Sequence, residues 1–171
     1  MRNPGDKVLT EASVKPESRR VLIPVKDASQ VEHVVELARR AGASEARVLH
    51  LNLRESIGGR RYPLENDSEA ASIVEAAVLE LRVAGIAATG QVRHALVDRI
   101  AQAIAADATE WDADLIVLGA QHRSRLITRL FGSVALRVEQ HASCPVLVAS
   151  DLGTGDRARD RSDELSATPA L

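Results

Sequence analysis

The stretch "GAQHRSRLITRLFGSV", residues 119–134, follows the apolar run Leu115-Ile116-Val117-Leu118 and carries Arg123, Arg125 and Arg129 with no acidic residue inside it. A loop that leaves a buried strand at a glycine turns tightly and can aim backbone N–H groups at an anion. A helix start just beyond would add unpaired donors and a positive dipole end. Gly119 and the pair Gly132-Ser133 supply those two parts. The Ser133 hydroxyl could donate to a phosphate oxygen or cap the first turn of its own helix. The three arginines could bind an anion or form a solvated face. Phosphate binding and plain structure therefore both remain open from these residues alone.

Other chemistry finds less support. The chain lacks the Gly-x-x-x-x-Gly-Lys-Ser/Thr phosphate loop, which argues against a motor-type NTPase. His33, His50, His94, His122 and His141 have no metal-ligand spacing with one another or with Cys144, so no metal site is expected and they read as surface or packing residues. Cys144 precedes Pro145 on an expected buried strand, where a thiol is usually inert. Asp112 and Asp114 read as a turn before a strand. No nucleophile, base and orienting group assemble, so no catalytic residue is assigned.

The elements that must position the glycine-arginine stretch are legible. Short β-branched runs alternate with longer helical patterns, the signature of βαβ units. "RVLIPV" (20–25) is the first strand. Ser29 and Glu32 have capping-box spacing for a helix with Val31, Val34, Val35 and Ala38 on its apolar stripe and Gly42 past its end. "ARVLHLNL" (46–53) is the second strand, and "RESIGGRRYPLE" reads as a loop around Gly58, Gly59 and Pro63. A helix over about 68–84 buries Ile73, Val74, Ala77, Val78 and Leu81 and stops at Gly85. "IAATGQV" (86–92) is a third strand weakened by Gly90. A helix over about 98–109 places Ile100, Ala101, Ile104 and Ala108 inward, "DLIVLG" (114–119) is a fourth strand, Ser133 caps a short helix, and "CPVLVA" (144–149) is a fifth strand.

Five such strands with right-handed crossovers make an α/β fold, an open doubly wound five-stranded parallel sheet with helices on both faces. Ligands of such sheets bind outside the carboxyl ends of the strands. The candidate rim is residues 25–28, 51–61 and 119 onward. Residues 1–18 and 151–171 lack periodicity and read as disordered tails around one domain over 19–150.

Composition narrows the partners. With 22 basic and 24 acidic residues, the net charge is −2, so no overall field draws the protein to nucleic acid or an anionic membrane. Aromatic residues are 2% of the chain, too few for base-stacking platforms. No apolar run reaches membrane-spanning length and no signal peptide is evident, so a cytoplasmic location is expected.

From Arg19 to Ser150 the sequence resembles the universal stress protein family. The resemblance rests on "VLIPV", on the spaced Gly119 and Gly132-Ser133, and on "FGSVALRVEQHASCPVLV". It implies a Rossmann-like, adenine nucleotide alpha hydrolase-like fold, and a loop that wraps ATP phosphates through Gly119, Gly132 and Ser133. His122 stands where the family has its second glycine; a left-handed backbone there would cost about 1–2 kcal/mol. His122 or Arg123 could also add a donor to a phosphate. The family's adenine-reading aspartate aligns with Lys26, after Val25 and before Asp27, and Pro24, Leu51, Leu118 and Val134 align with its nucleoside-lining positions. The implied ligand is ATP, with AMP or cyclic AMP as alternatives and Mg only together with ATP. The implied assembly is a homodimer through the last strand, Cys144 to Ala149, acting on a protein partner in a stress response. A scaffold of the same fold without nucleotide and a weak ATPase are the competing functions. Whether the loop at Gly58–Arg61 acts as a lid stays open.

Overall fold

The computed structural model describes residues 19–119 and 128–149, with the side chains of 128–133 outside that description. The expected tails, His122, Arg123 and Arg125 lie outside the described residues. The elements are β1 (Arg20–Val25), α1 (Val34–Arg40), β2 (Glu45–Ile57), β3 (Arg60–Pro63), α2 (Asp67–Val83), β4 (Ala87–Leu96), α3 (Ile100–Glu110), β5 (Leu115–Gly119), α4 (Thr128–His141) and β6 (Val146–Ala149).

β1 pairs in parallel with β2 on one side and β5 on the other; β2 pairs onward with β4, and β5 with β6. The parallel strands thus lie in the order β4-β2-β1-β5-β6. The chain winds outward from β1 through β2 to β4, then returns to the other side of β1 to build β5 and β6. That is the doubly wound fold expected from the sequence.

Alternation along the strands sorts side chains into two cores. Val21, Ile23, Val25, Ala46, Val48 and Ala88 face α1 and α2, while Leu22, Leu49, Ile116 and Leu118 face α3 and α4. α2 meets its core with Ile73, Val74, Ala77, Val78 and Leu81, as its periodicity predicts. On the second face, Arg20 and Arg47 lie over the Trp111 ring at 4.6 and 4.9 Å from its centroid. Buried Asp107 of α3 is paired with Arg93 at 2.5 Å and Arg47 at 3.8 Å, which offsets the cost of burying its charge. Asp112 and Asp114 occupy the expected turn, where the Asp114 carboxylate accepts the Arg20 N–H at 2.8 Å.

Five local expectations are corrected. Ser29 does not cap a helix with Glu32: Asp27 caps a 3-10 turn over Ala28–His33, and the α-helix starts only at Val34. Asp27 wins because its carboxylate accepts the Ser29 N–H at 3.0 Å and the Ser29 hydroxyl as well, closing the turn two residues earlier. The segment "RESIGGRRYPLE" is not a loop: β2 runs on to Ile57 and turns through Gly58 and Gly59, both at positive φ, into antiparallel β3. Two consecutive left-handed residues form the turn whose twist matches paired strands, and glycine permits both. β4 extends to Leu96 because β2 supplies a partner as far as Arg54. The third helix opens with a 3-10 turn over Val97–Arg99. Finally, α4 begins at Thr128, which places Gly132 and Ser133 inside the helix and removes Ser133 from the cap position. Leu130 and Phe131 are compatible with a helical turn, so nothing before Gly132 forces a later start.

Gly90 is required by a close approach. A Cβ there would stand 2.2 Å from Val74 Cγ1 and 3.1 Å from Val78 Cγ2, where α2 crosses β4. Gly90→Ala is expected to destabilise the fold by about 1–3 kcal/mol in urea unfolding. The same substitution in a Val74→Ala background should cost much less; an equal cost in both backgrounds would refute overpacking at this crossing.

Candidate functional site

The winding reverses between β1 and β5, so the crevice outside their carboxyl ends is the candidate ligand site. Val25 closes β1 and is buried, Lys26 is exposed just beyond it, and Gly119 closes β5. A Cβ on Gly119 would meet Leu37 Cδ1 at 3.4 Å and Gln30 Nε2 at 3.8 Å, so the Gln30 side chain lies beside the end of β5 on the α1 face. Its Oε1 accepts the Lys26 N–H at 2.5 Å, and its own N–H donates to the Asp27 carbonyl at 3.2 Å. These bonds fold residues 26–30 into a compact turn over the end of the sheet.

Of the residues singled out in the sequence, Leu118 is buried in the α3/α4 core, and Leu51 and Val134 pack against it. Pro24 lies on the same face by alternation with Leu22. These four therefore share one face near the crevice. Val25 faces the opposite core, so its contribution to this rim is its backbone. Lys26 is exposed there, whereas the Asp27 carboxylate is turned back onto Ser29. Gly132 and Ser133 enter as part of the α4 backbone.

The sequence reading missed a polar cluster at the ends of β2 and β4, on the α2 face. His50 is buried at 1% exposure; its Nδ1 donates to the Val25 carbonyl at 3.0 Å, and its Nε2 meets Glu65 Oε1 at 2.5 Å. The imidazole thereby ties the end of β1 to the segment between β3 and α2. Two residues on, buried Asn52 donates to Asp67 Oδ1 at 2.8 Å, and His94 Nε2 bonds the same oxygen at 2.9 Å. His50 and Asn52 are two apart on β2, and that period was the only sequence signal for the cluster.

Gln30 was also missed. In sequence it is an ordinary polar residue between Ser29 and Val31.

The hydrogen bond from His94, with added attraction from Arg54, holds the Asp67 carboxyl below its ordinary range, against a smaller opposing effect of burial. Cys144 is not on a buried strand as expected: β6 starts only at Val146, and the cysteine before it is half-buried, which pushes its thiol up, consistent with an unreactive cysteine. Among the described residues no group of three or more His, Cys, Asp or Glu is arranged to hold a metal ion. No helix among them is long and apolar enough to cross a membrane.

Because the folded value of Asp67 lies below the unfolded one, its contribution to stability is present above the unfolded value and is lost as pH falls through the folded one. The fall in urea midpoint between pH 7 and pH 3 should therefore be smaller in Asp67→Asn than in the parent. An unchanged fall would remove Asp67 from the acid response.

Comparison with known proteins places this geometry. No curated protein matches the chain. Among solved structures, a universal stress protein from Archaeoglobus fulgidus in complex with dAMP is 27% identical, with a TM-score of 0.53 over 77% of this chain and 96% of the other. A universal stress protein in complex with cAMP is 22% identical, with a TM-score of 0.50 over 76% of this chain and 95% of the other. A universal stress protein family protein from Arabidopsis thaliana with AMP bound is 16% identical, with a TM-score of 0.50 over 76% and 89%. The last two likenesses speak for the fold alone. The sequence profile of the universal stress protein family matches residues 17–150, and with the doubly wound sheet, the crevice at the end of β1 and the matching last helix and strand, the chain belongs to the universal stress protein family.

Proposed function

We propose that this universal stress protein binds an adenine nucleotide at the crevice between β1 and β5 and changes its affinity for a protein partner when occupied. The observation that carries the reading is the convergence of Pro24, Leu51, Leu118 and Val134 on one face at the carboxyl ends of β1 and β5, where β5 closes at Gly119. An apolar wall beside a glycine-ended strand suits a nucleoside with its phosphates held by backbone donors. The dAMP complex of the Archaeoglobus fulgidus relative supports the same ligand class.

In this reading ATP is the first ligand, with AMP and cyclic AMP next, and Mg2+ enters only with ATP. Gly119 and the Ser133 hydroxyl hold the phosphates, Gly132 leaves the surface of α4 open beside them, and His122 and Arg123 add donors. Pro24, Val25, Lys26 and Asp27 bound the base end.

β6 supports the assembly half of the reading. Among the described residues it pairs only with β5, and Leu147 on it is 44% exposed. An apolar edge strand is a template for a second chain, and pairing it in a homodimer removes that hazard. The protein works in the cytoplasm, with at most slow hydrolysis of the nucleotide.

The test is to denature freshly purified protein, identify released nucleotide by mass spectrometry, and titrate ATP, AMP and cyclic AMP into the emptied protein by calorimetry. Saturable binding is expected, and Gly132→Val should weaken it more than tenfold. No binding at millimolar ligand would move the function to a scaffold of the same fold. Light scattering at micromolar concentration should give a dimer; a monomer would refute the β6 interface.

A further inference from the structure

α2 carries a second apolar stripe besides the one that meets the core. Ser72, Ala76, Leu79 and Val83 follow one another at intervals of four, three and four residues, the spacing of a helix-to-helix seam. All four are exposed, Leu79 at 61% and Val83 at 78%. At about 100° per residue they lie opposite buried Ile73, Val74, Ala77, Val78 and Leu81, so they point away from the sheet. Scattered exposed apolar residues are ordinary, whereas a seam of them in register marks a contact surface.

The seam is complementary to itself in one orientation. Laid antiparallel against a second copy, it sets Leu79 against Ala76 of that copy and Val83 against Ser72 of that copy, a large side chain against a small one in each layer. The same alignment brings Glu75, on the flank of the seam, opposite Arg82 of the second copy, and the two-fold repeats the pair with the roles exchanged. Arg82 is already held in place: its Nε and Nη2 donate to the Ala88 carbonyl at 3.1 and 2.8 Å, which leaves the Nη1 donors for a second acceptor. A parallel alignment would instead set Glu75 against Glu80 of the other copy, like charge on like.

We infer that the outward face of α2 is an interface for a second copy of this chain, packed as an antiparallel helix pair whose two-fold passes between Ala77 and Val78. The seam is about 17 Å long, so the contact is smaller than that of a stable dimer and fills only at high local concentration. α2 packs over β2 and β4 while β6 forms the other end of the sheet, so dimers paired through β6 would be joined through α2 into larger assemblies. This contact does not depend on nucleotide binding.

Sedimentation equilibrium should show the average mass of the parent rising about twofold between micromolar and millimolar concentration, the range of a small transient interface. Leu79→Glu, at an exposed position, should abolish the rise and leave the mass at micromolar concentration unchanged. Glu75→Arg should weaken the association by about tenfold, since both flanking pairs become repulsive. A parent mass that does not change with concentration, or an equal rise in Leu79→Glu, would overturn the interface. Orientation is read separately in a Cys144→Ser background. Ser72→Cys combined with Val83→Cys should link two chains by disulfide on mild oxidation. Ser72→Cys alone should not, because antiparallel packing holds the two copies of that residue about 17 Å apart. Linkage by Ser72→Cys alone, or none in the double variant, would overturn the antiparallel pair.

Discussion

Everything at the candidate site hangs on the pairing of β1. All six of its residues pair with β2, Val21 and Leu22 pair with β5 on the other side, and Val21, Leu22 and Ile23 are wholly inaccessible. Fully burying an aliphatic side chain of this size contributes about 1.5–3 kcal/mol. Both faces of the strand carry such residues, so a slip of one position would exchange the two cores against their helices. That constraint fixes the height at which Val25 and Gly119 end, and so fixes where the crevice opens. Arg20, at the other end, is held by the Asp114 carboxylate on its N–H and by the face of Trp111.

The two faces of the sheet then take different work. On the α3/α4 face, the apolar residues of β1, β2 and β5 continue to the rim. On the α1/α2 face, the apolar pattern of β2 gives way after Val48 to His50 and Asn52, which bond across to Glu65 and Asp67. Buried polar groups are stable only when partnered. The partners of this cluster come from the residues leading into α2, so that segment is anchored to the rim from behind. The crevice consequently has a fixed floor, with residues 26–30 folded over its edge by Asp27 and Gln30.

The hairpin of β2 and β3 belongs to the same construction. β2 passes the level of Val25 by seven residues, from His50 to Ile57, and at about 3.3 Å per residue this projects some 23 Å beyond the end of β1. A strand that long needs partners beyond the reach of β1, and β4 and β3 supply them in turn. The hairpin thus extends the parallel core at its carboxyl rim.

The amino-acid sequence by itself determined whatever depends on local periodicity and turn chemistry. It determined β1 to the residue, the buried stripe of α2, the glycine at the end of each of the first two helices, the winding of the sheet and the family. The resemblance to the family also brought Pro24, Leu51, Leu118 and Val134 into consideration, because they align with its nucleoside-lining positions. Tertiary structure alone decided the contacts between residues far apart in the chain: His50 with Val25 and Glu65, Asn52 and His94 with Asp67, and Gln30 against Gly119. It also decided contests between local signals of similar strength, such as Asp27 over Ser29 as the cap, and Gly58-Gly59 as a hairpin turn in place of a loop. Period and spacing show which way a side chain points. They do not show what stands opposite it, and a buried imidazole has a function only through that opposing group.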